Sequence, residues 1–122
     1  MLSRHFRFLG YDVAVAENGS AALKCLEEQK TEVVISDIMM PVMDGIELLR
    51  QIRVDYPMTH VIMITGFVTQ ENILACMRHG ADVCIFKPID PIEELEEAVK
   101  VAEHALDKWK SVFIRLHQMK ES

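Results

Sequence analysis

Three polar residues, Asp37, Thr65 and Lys87, each stand at the end of a short apolar segment and together could carry out phosphoryl-group chemistry. A carboxylate can act as a nucleophile toward phosphorus. The charge that develops on the phosphoryl oxygens is then stabilised by an ammonium group and by a hydroxyl that donates a hydrogen bond. Taken singly, each residue has a more common structural explanation: a turn or cap for Asp37, strand packing for Thr65 and solvent exposure for Lys87. Their combination at consecutive segment ends points to function.

These residues need a scaffold that brings distant segments together, and the hydrophobic pattern predicts one. Short apolar runs alternate with amphipathic stretches, which is typical of a parallel sheet whose right-handed crossovers place helices on both faces. In an open sheet of this class, functional residues lie at the carboxyl ends of the strands, where all three polar residues fall. The predicted strands are 11–16, 32–37, 60–65 and 83–86, and the predicted helices are 1–9, 45–54, 70–78, one after Asn18-Gly19-Ser20 and one starting at Asp90-Pro91-Ile92-Glu93.

Several motifs resemble the receiver domain of two-component response regulators. The run D-I-M-M-P-V-M-D-G at 37–45 resembles the phosphorylation loop of that family, and I-T-G at 64–66 resembles its switch-hydroxyl segment. H-G-A-D at 79–82 and F-K-P at 86–88 resemble the segment around its last strand and lysine. G-Y-D-V and A-E-N-G near the start resemble its second strand and the turn that follows. The similarity extends over about residues 1–105.

The resemblance implies a doubly wound, flavodoxin-like α/β fold with strand order 2-1-3-4-5, and a role for each polar residue. Asp37 would accept a phosphoryl group from a phosphohistidine on a sensor histidine kinase or phosphotransfer protein. Thr65 and Lys87 would each contact a phosphoryl oxygen, and the Lys87–Pro88 bond would be cis, as X-Pro bonds can be. The chain would be a signalling protein rather than an enzyme acting on a diffusible substrate. An interaction module that needs no phosphorylation, a pseudo-receiver, is the alternative.

The resemblance also implies Mg²⁺, with Asp37 and the backbone carbonyl of Met39 among its ligands. Receivers begin with an apolar strand that ends in two acidic residues, which hold the ion; here this first strand and its acidic pair are absent, because the sequence begins within what resembles the first helix. Glu17 is the nearest replacement, and we expect Mg²⁺ to bind weakly. We expect that the sequence is a fragment or that its start codon has been placed too late. The alternative is a true truncation that is repaired by strand rearrangement or by a partner chain.

Three residues near the expected site, Met39, Phe67 and Cys84, have side chains that do not suit the roles of their positions in the family. Met39 and Phe67 occupy positions that tune dephosphorylation in the family, and neither apolar side chain can position an attacking water well. Cys84 stands where the family usually has an aromatic residue that moves with the threonine. We interpret Cys84 as a small core residue in preference to a redox sensor.

The residue pattern in the carboxyl-terminal part of the chain predicts a helix that extends beyond the domain. We divide the chain into a receiver domain, 1–105, and a helical extension, 106–122. Apolar residues alternate four and three apart along this helix, which is the spacing of a coiled-coil seam. We expect a homodimer through the second half of the seam, and a tail folded back on its own domain is the alternative. The seam consists of Leu95, Val99, Ala102, Leu106, Trp109, Phe113 and Leu116.

Composition excludes several other functions. The 122 residues carry a formal net charge of -6 and half of them are hydrophobic, so a basic nucleic-acid-binding surface is not expected. We do not expect a helix-turn-helix domain, for which the 122 residues leave no room, and no apolar run is long enough to span a membrane. The three cysteines and five histidines form neither a disulfide framework nor a metal-ligand pattern. A cytoplasmic location is therefore expected.

Overall fold

The computed structural model describes residues 2–40, 42–66 and 69–121, which form five helices around a three-stranded sheet. Most element boundaries lie within a residue or two of the predicted ones, and 60–65, 70–78 and 83–86 agree at both ends. The elements are α1 (Leu2–Phe8), α2 (Gly19–Glu28), β1 (Val33–Asp37), α3 (Gly45–Asp55), β2 (His60–Thr65), α4 (Gln70–Arg78), β3 (Val83–Phe86) and α5 (Glu93–Glu121).

The sheet is parallel, with strand order β1-β2-β3, so β2 is the central strand. The side chains of β2 alternate between two apolar clusters, which is why this strand is apolar almost throughout. Ile62 and Ile64 pack with α1 and α5 on one face, whereas Val61 and Met63 pack with α2, α3 and α4 on the other. This arrangement confirms the predicted α/β class with helices on both faces.

The predicted strand at 11–16 does not form. This segment has no regular secondary structure, and β1 pairs on one side with β2 alone. Its alternating pattern is compatible with a strand, but a strand needs a neighbouring backbone with which to pair, and no strand among the described residues pairs with 11–16. Instead, the Arg7 guanidinium donates a hydrogen bond to the Val13 carbonyl at 3.0 Å.

Helix α5 is continuous over 29 residues, or about 43 Å at roughly 1.5 Å per residue. It begins at Glu93, the last residue of the predicted start signal Asp90-Pro91-Ile92-Glu93, and not at Asp90. The first four seam residues are buried, whereas Trp109, Phe113 and Leu116 are each about half exposed. The alternative in which the tail folds back on its domain is therefore not what the structure has. No helix among the described residues is both long and apolar enough to cross a membrane.

Candidate functional site

The carboxyl ends of the three strands bring Asp37 and Lys87 into direct contact. Lys87 Nζ donates a hydrogen bond to Asp37 Oδ2 at 2.5 Å, and both side chains remain partly exposed to solvent. The backbone explains the proximity, because Asp37 is in register with Ile64, and Lys87 N donates to the Thr65 carbonyl at 2.8 Å. A carboxylate and an ammonium group are thus paired at a solvent-accessible edge of the sheet.

Thr65 ends β2 and lies between the other two strand ends. It is fully buried, at 0 % relative exposure, and it is in register with Phe86, the residue before Lys87. The structure therefore places all three predicted residues at one edge of the sheet. The Thr65 side chain is thus shielded from solvent, whereas the side chains of Asp37 and Lys87 are partly exposed.

The loop from β1 to α3 holds the Asp37 backbone closely. Gly45 N donates to the Ile38 carbonyl at 2.8 Å, and the Asp44 side chain caps α3 by accepting from Glu47 N at 2.9 Å. A Cβ at Gly45 would lie 2.1 Å from the Asp37 carbonyl oxygen, so any side chain there would displace one of the two backbones. Gly45 at the end of the motif is therefore a steric requirement of this loop, a role that the sequence interpretation did not assign.

Val42, in the same loop, adopts a conformation that no sequence signal predicted. Its φ is 70°, in the left-handed region that β-branched residues avoid, and its side chain is 84 % exposed. Such a conformation costs on the order of 1–3 kcal/mol, so the surrounding loop must hold it in place. The strain lies five residues from Asp37, in an exposed part of the loop.

The residues around Asp37 do not by themselves make a Mg²⁺ site. Within the described ranges, no group of three or more acidic, histidine or cysteine side chains is close enough to hold a metal ion. One carboxylate and the predicted carbonyl of Met39 supply too few ligands for an octahedral ion, and Asp37 is already paired with Lys87. Glu17 is exposed after the 11–16 segment and joins no such group. Additional carboxylates would be needed to complete the site.

The remaining predicted positions have less direct roles. Met39 is 65 % exposed, its N–H donates to Asp37 Oδ1 at 3.3 Å, and Phe67 lies outside the described residues. Cys84 packs at the edge of the core beside the buried Cys76, and burial raises the pKa of both thiols. Thiols with raised pKa values are poor nucleophiles, which favours the packing interpretation of Cys84. The Lys87–Pro88 bond is cis, as predicted, and Asp90–Pro91 is also cis.

Comparison with known proteins identifies the family of the chain. The sequence model of the response regulator receiver domain matches residues 1–100. The chain belongs to the response regulator receiver family. This receiver is 41 % identical over 91 residues to the chemotaxis protein CheY of Listeria monocytogenes, which covers 72 % of this chain and 76 % of CheY.

Larger and metal-bound relatives show similarity too. This receiver is 36 % identical over 118 residues to the regulatory protein AtoC of Escherichia coli K12, and the match covers 97 % of this chain but 25 % of AtoC. The chain spans about a quarter of the length of AtoC. The response regulator TrrA of Thermotoga maritima, solved in complex with Mg²⁺-BeF, superposes with a TM-score of 0.73 at 31 % identity, covering 83 % of this chain and 85 % of TrrA.

Proposed function

We propose that this receiver is a phospho-accepting signalling protein that takes a phosphoryl group onto Asp37 from a histidine kinase or phosphotransfer protein in a two-component system. The single observation that carries the proposal is the pairing of Lys87 Nζ with Asp37 Oδ2 at the carboxyl edge of the sheet. The pair places the nucleophile and the positive charge that the reaction needs in one accessible position.

The chemistry follows from the atoms at this edge. An Asp37 carboxylate oxygen attacks the phosphorus of a phosphohistidine, an O–P bond forms as the P–N bond breaks, and the electron pair returns to the imidazole nitrogen. Lys87 then neutralises charge on the phosphoryl oxygens, and Thr65 donates a hydrogen bond to one of them. Mg²⁺ supplies further positive charge in this kind of reaction, but the described residues do not hold it alone, so no step here depends on it.

The intact triad favours this function over a pseudo-receiver, whose interactions would need no phosphoryl group. Asp37, Thr65 and Lys87 lie at one edge although up to 50 residues separate them, an arrangement that a purely structural module does not require. A cytoplasmic location and a homodimer formed through the exposed half of α5 belong to the same proposal. The second copy would cover Trp109, Phe113 and Leu116, which the domain leaves exposed.

Intact-mass measurement after incubation with a small phosphodonor tests the proposal. The wild-type protein should gain one phosphoryl group across a series of rising Mg²⁺ concentrations, and Asp37→Asn should gain none. Asp55→Asn is the matched control, because Asp55 is exposed at the far end of α3 and should leave labelling unchanged. Equal labelling of wild type and Asp37→Asn would contradict the assignment, and no labelling at any Mg²⁺ concentration would favour the pseudo-receiver.

A further inference from the structure

The second half of α5 has a charge opposite to that of the rest of the chain. Residues 108–119 contain three lysines and arginines and no acidic residue, whereas 1–107 contain 18 acidic residues and nine lysines and arginines. We call 108–119 the α5 tail, and every residue in it is exposed. A basic amphipathic helix on an acidic domain indicates an anionic surface as the partner of the helix.

The apolar residues of the tail lie mainly on one face. With about 3.6 residues per turn, positions three and four apart lie above one another, so five of these side chains share one side of the helix. Their relative exposure is between 48 % and 67 %. Ile114 lies outside this set. We call the set the tail face, and it consists of Trp109, Val112, Phe113, Leu116 and Met119.

Basic side chains border the tail face on both sides. Lys108 and Arg115 lie seven residues, or about two turns, apart along one border. Lys110 and His117 have the same spacing along the other border. None of the ion pairs between described residues includes Lys108 or Arg115, and Lys110 pairs loosely with Glu32 at 3.7 Å. Long basic side chains in such places lay their methylene groups along the apolar border and extend their charge outward.

The tail face is wider than a coiled-coil seam. A second copy that packs along the seam covers Trp109, Phe113 and Leu116, whereas Val112 and Met119 lie beside the seam. A flat apolar medium covers all five side chains at once. The indole ring of Trp109 also suits the boundary between hydrocarbon and lipid headgroups, where amphipathic aromatic rings concentrate. A bilayer surface therefore matches the tail face more fully than a single partner helix does.

The fold holds the tail ready to meet such a surface. The first half of α5 is anchored in the core by Leu95, Val99 and Leu106, so the helix of the tail does not have to form on binding. Met119 lies 13 residues beyond Leu106, or about 20 Å at roughly 1.5 Å per residue. This reach exceeds the Debye length of about 8 Å at physiological ionic strength, so salt screens most of the acidic domain from a surface at the end of the tail.

We propose that the α5 tail binds the surface of an anionic lipid bilayer, with the tail face in the interface and its flanking basic side chains among the acidic headgroups. The tail lies in the interface and does not cross it, since no helix of the described residues is long and apolar enough to do so. A second copy and a bilayer use the same side chains, so the dimer dissociates before the tail binds lipid. The interaction does not depend on Asp37 or on its phosphorylation.

Vesicle binding by the full chain can be followed through Trp109, the single tryptophan of the protein. The probe is vesicles of phosphatidylcholine and phosphatidylserine in equal parts, and the control is vesicles of phosphatidylcholine alone. The emission of Trp109 should shift to shorter wavelength with the probe, and brominated acyl chains should quench it. Binding to the control vesicles, or to the probe at high salt, should be weaker by roughly tenfold or more, because the attraction between the headgroups and the tail is lost or screened.

One pair of variants tests the apolar contact. Phe113→Glu should weaken binding to the anionic vesicles by roughly tenfold or more, because it places a charge in the middle of the tail face. Val101→Glu adds the same charge at an exposed position of α5 ahead of the tail, so it should leave binding unchanged. Equal weakening by the two variants would overturn the assignment of the tail face.

A second pair of variants tests the charge. Lys108→Gln with Arg115→Gln should weaken binding to the anionic vesicles by roughly tenfold or more, since two headgroup contacts are lost. Lys24→Gln with Lys30→Gln removes the same charge at exposed positions in and just after α2, and it should leave binding unchanged. Equal weakening by the two double variants would mean that net charge alone matters and would overturn a role for the tail.

The remaining outcomes identify other occupants. An emission shift that appears without vesicles, grows with protein concentration and is not quenched by brominated lipid would make a second copy the sole occupant and overturn the proposal. Binding to polyglutamate, together with no quenching by brominated lipid, would overturn it in favour of an acidic protein. Asp37→Asn should bind the anionic vesicles as wild type does, so a failure of phosphorylation leaves this test intact.

Discussion

Lys87 Nζ lies 2.5 Å from Asp37 Oδ2, although 50 residues separate the two along the chain. The parallel sheet produces this contact, because β1 ends at Asp37 and β3 ends at Phe86, and both strands pair with the central strand β2. The ion pair is partly exposed, so water screens it and its contribution to folding is small. In the proposed function, the pair places positive charge beside the carboxylate that accepts the phosphoryl group.

Replacing Lys87 by Met should therefore separate function from stability. We expect phosphodonor labelling to slow by roughly 100-fold or more, because a preorganised stabiliser of phosphoryl charge is lost. The unfolding free energy should change by less than about 1 kcal/mol. Rates come from a mass-spectrometric time course and stability from urea unfolding. Lys110→Met, which removes a looser surface pair with Glu32 at 3.7 Å, is the control; equal loss of labelling in both variants would argue against a specific role for Lys87.

Gly45→Ala should disturb the site through the backbone. Its Cβ would lie 2.1 Å from the Asp37 carbonyl oxygen, so either β1 or the start of α3 must move. We expect a loss of about 1–3 kcal/mol in unfolding free energy, together with slower labelling of Asp37. Gly66→Ala is a matched control, because a Cβ there meets the Lys87 side chain at ordinary contact distances of 3.6 and 3.7 Å. An equal loss of unfolding free energy in both variants would mean that the close approach of Gly45 to Asp37 is not the cause of the loss.

The strand ends were predictable because parallel topology forces them to one edge. Residues 60–65 form an apolar run that is buried on both faces, and this pattern fixed its boundaries without any knowledge of its neighbours. The 11–16 segment has equally good local propensity, yet it fails as a strand because pairing depends on a second backbone that its own sequence cannot reveal. The local hydrophobic pattern therefore predicted the buried strand at 60–65 correctly, but it could not show whether 11–16 has a second strand with which to pair.

The site was predictable in its side chains but not in its backbone. The types and positions of Asp37, Thr65 and Lys87 were enough to place them together at the sheet edge. The left-handed φ of Val42 was not predictable, because valine disfavours that region and nothing local requires it. The contact of Tyr11 with Glu103 was also missed, since it joins an irregular segment to the middle of a long helix.

Mg²⁺ should bind weakly to the 122-residue chain. One carboxylate and one carbonyl leave most octahedral positions to water, and the Lys87 ammonium opposes a cation beside Asp37. Calorimetry should show affinity in the millimolar range or weaker, and Lys87→Met should not reduce it. A tight site that Asp37→Asn abolishes would mean that carboxylates elsewhere in the chain reach Asp37.

The alkaline stability of the protein should depend on Tyr11. The Glu103 carboxylate accepts a hydrogen bond from its hydroxyl and raises its folded-state pKa from 10.0 to about 12. Because the folded pKa is the higher one, this stabilisation is complete below pH 10 and is lost as the pH rises from 10 toward 12. In a Tyr56→Phe background, absorbance at 295 nm should report ionisation of Tyr11 near pH 12, with circular dichroism as a check on folding.

Glu103→Gln should move that ionisation back toward pH 10, because the charge and the strongest acceptor are both lost. Glu97→Gln, a change on the same helix whose side chain contributes nothing to the shift, should leave it in place. A midpoint near pH 10 already in the Tyr56→Phe protein would contradict the contact between Tyr11 and Glu103.

The exposed half of α5 should mediate homodimerisation. The helix continues beyond Leu106, its last buried seam residue, and leaves Trp109 and Phe113 more than half exposed at 53 % and 57 %. Burial of each aromatic side chain against a second copy would gain on the order of 1.5–3 kcal/mol, and a two-fold arrangement would place the same face of each helix in contact. The seam beyond the domain is short, so the dimer should dissociate on dilution.

The double variant Trp109→Ser with Phe113→Ser should therefore shift light-scattering mass toward the monomer across a dilution series. Its urea unfolding, followed by circular dichroism, should change little, because neither side chain belongs to the buried clusters. Val101→Ser removes an apolar side chain that is 60 % exposed on the same helix but outside the seam, so it should leave the dimer intact. A wild-type protein that stays monomeric at high concentration would defeat the seam as a dimer interface. Equal weakening by Val101→Ser would place the contact on another face of α5.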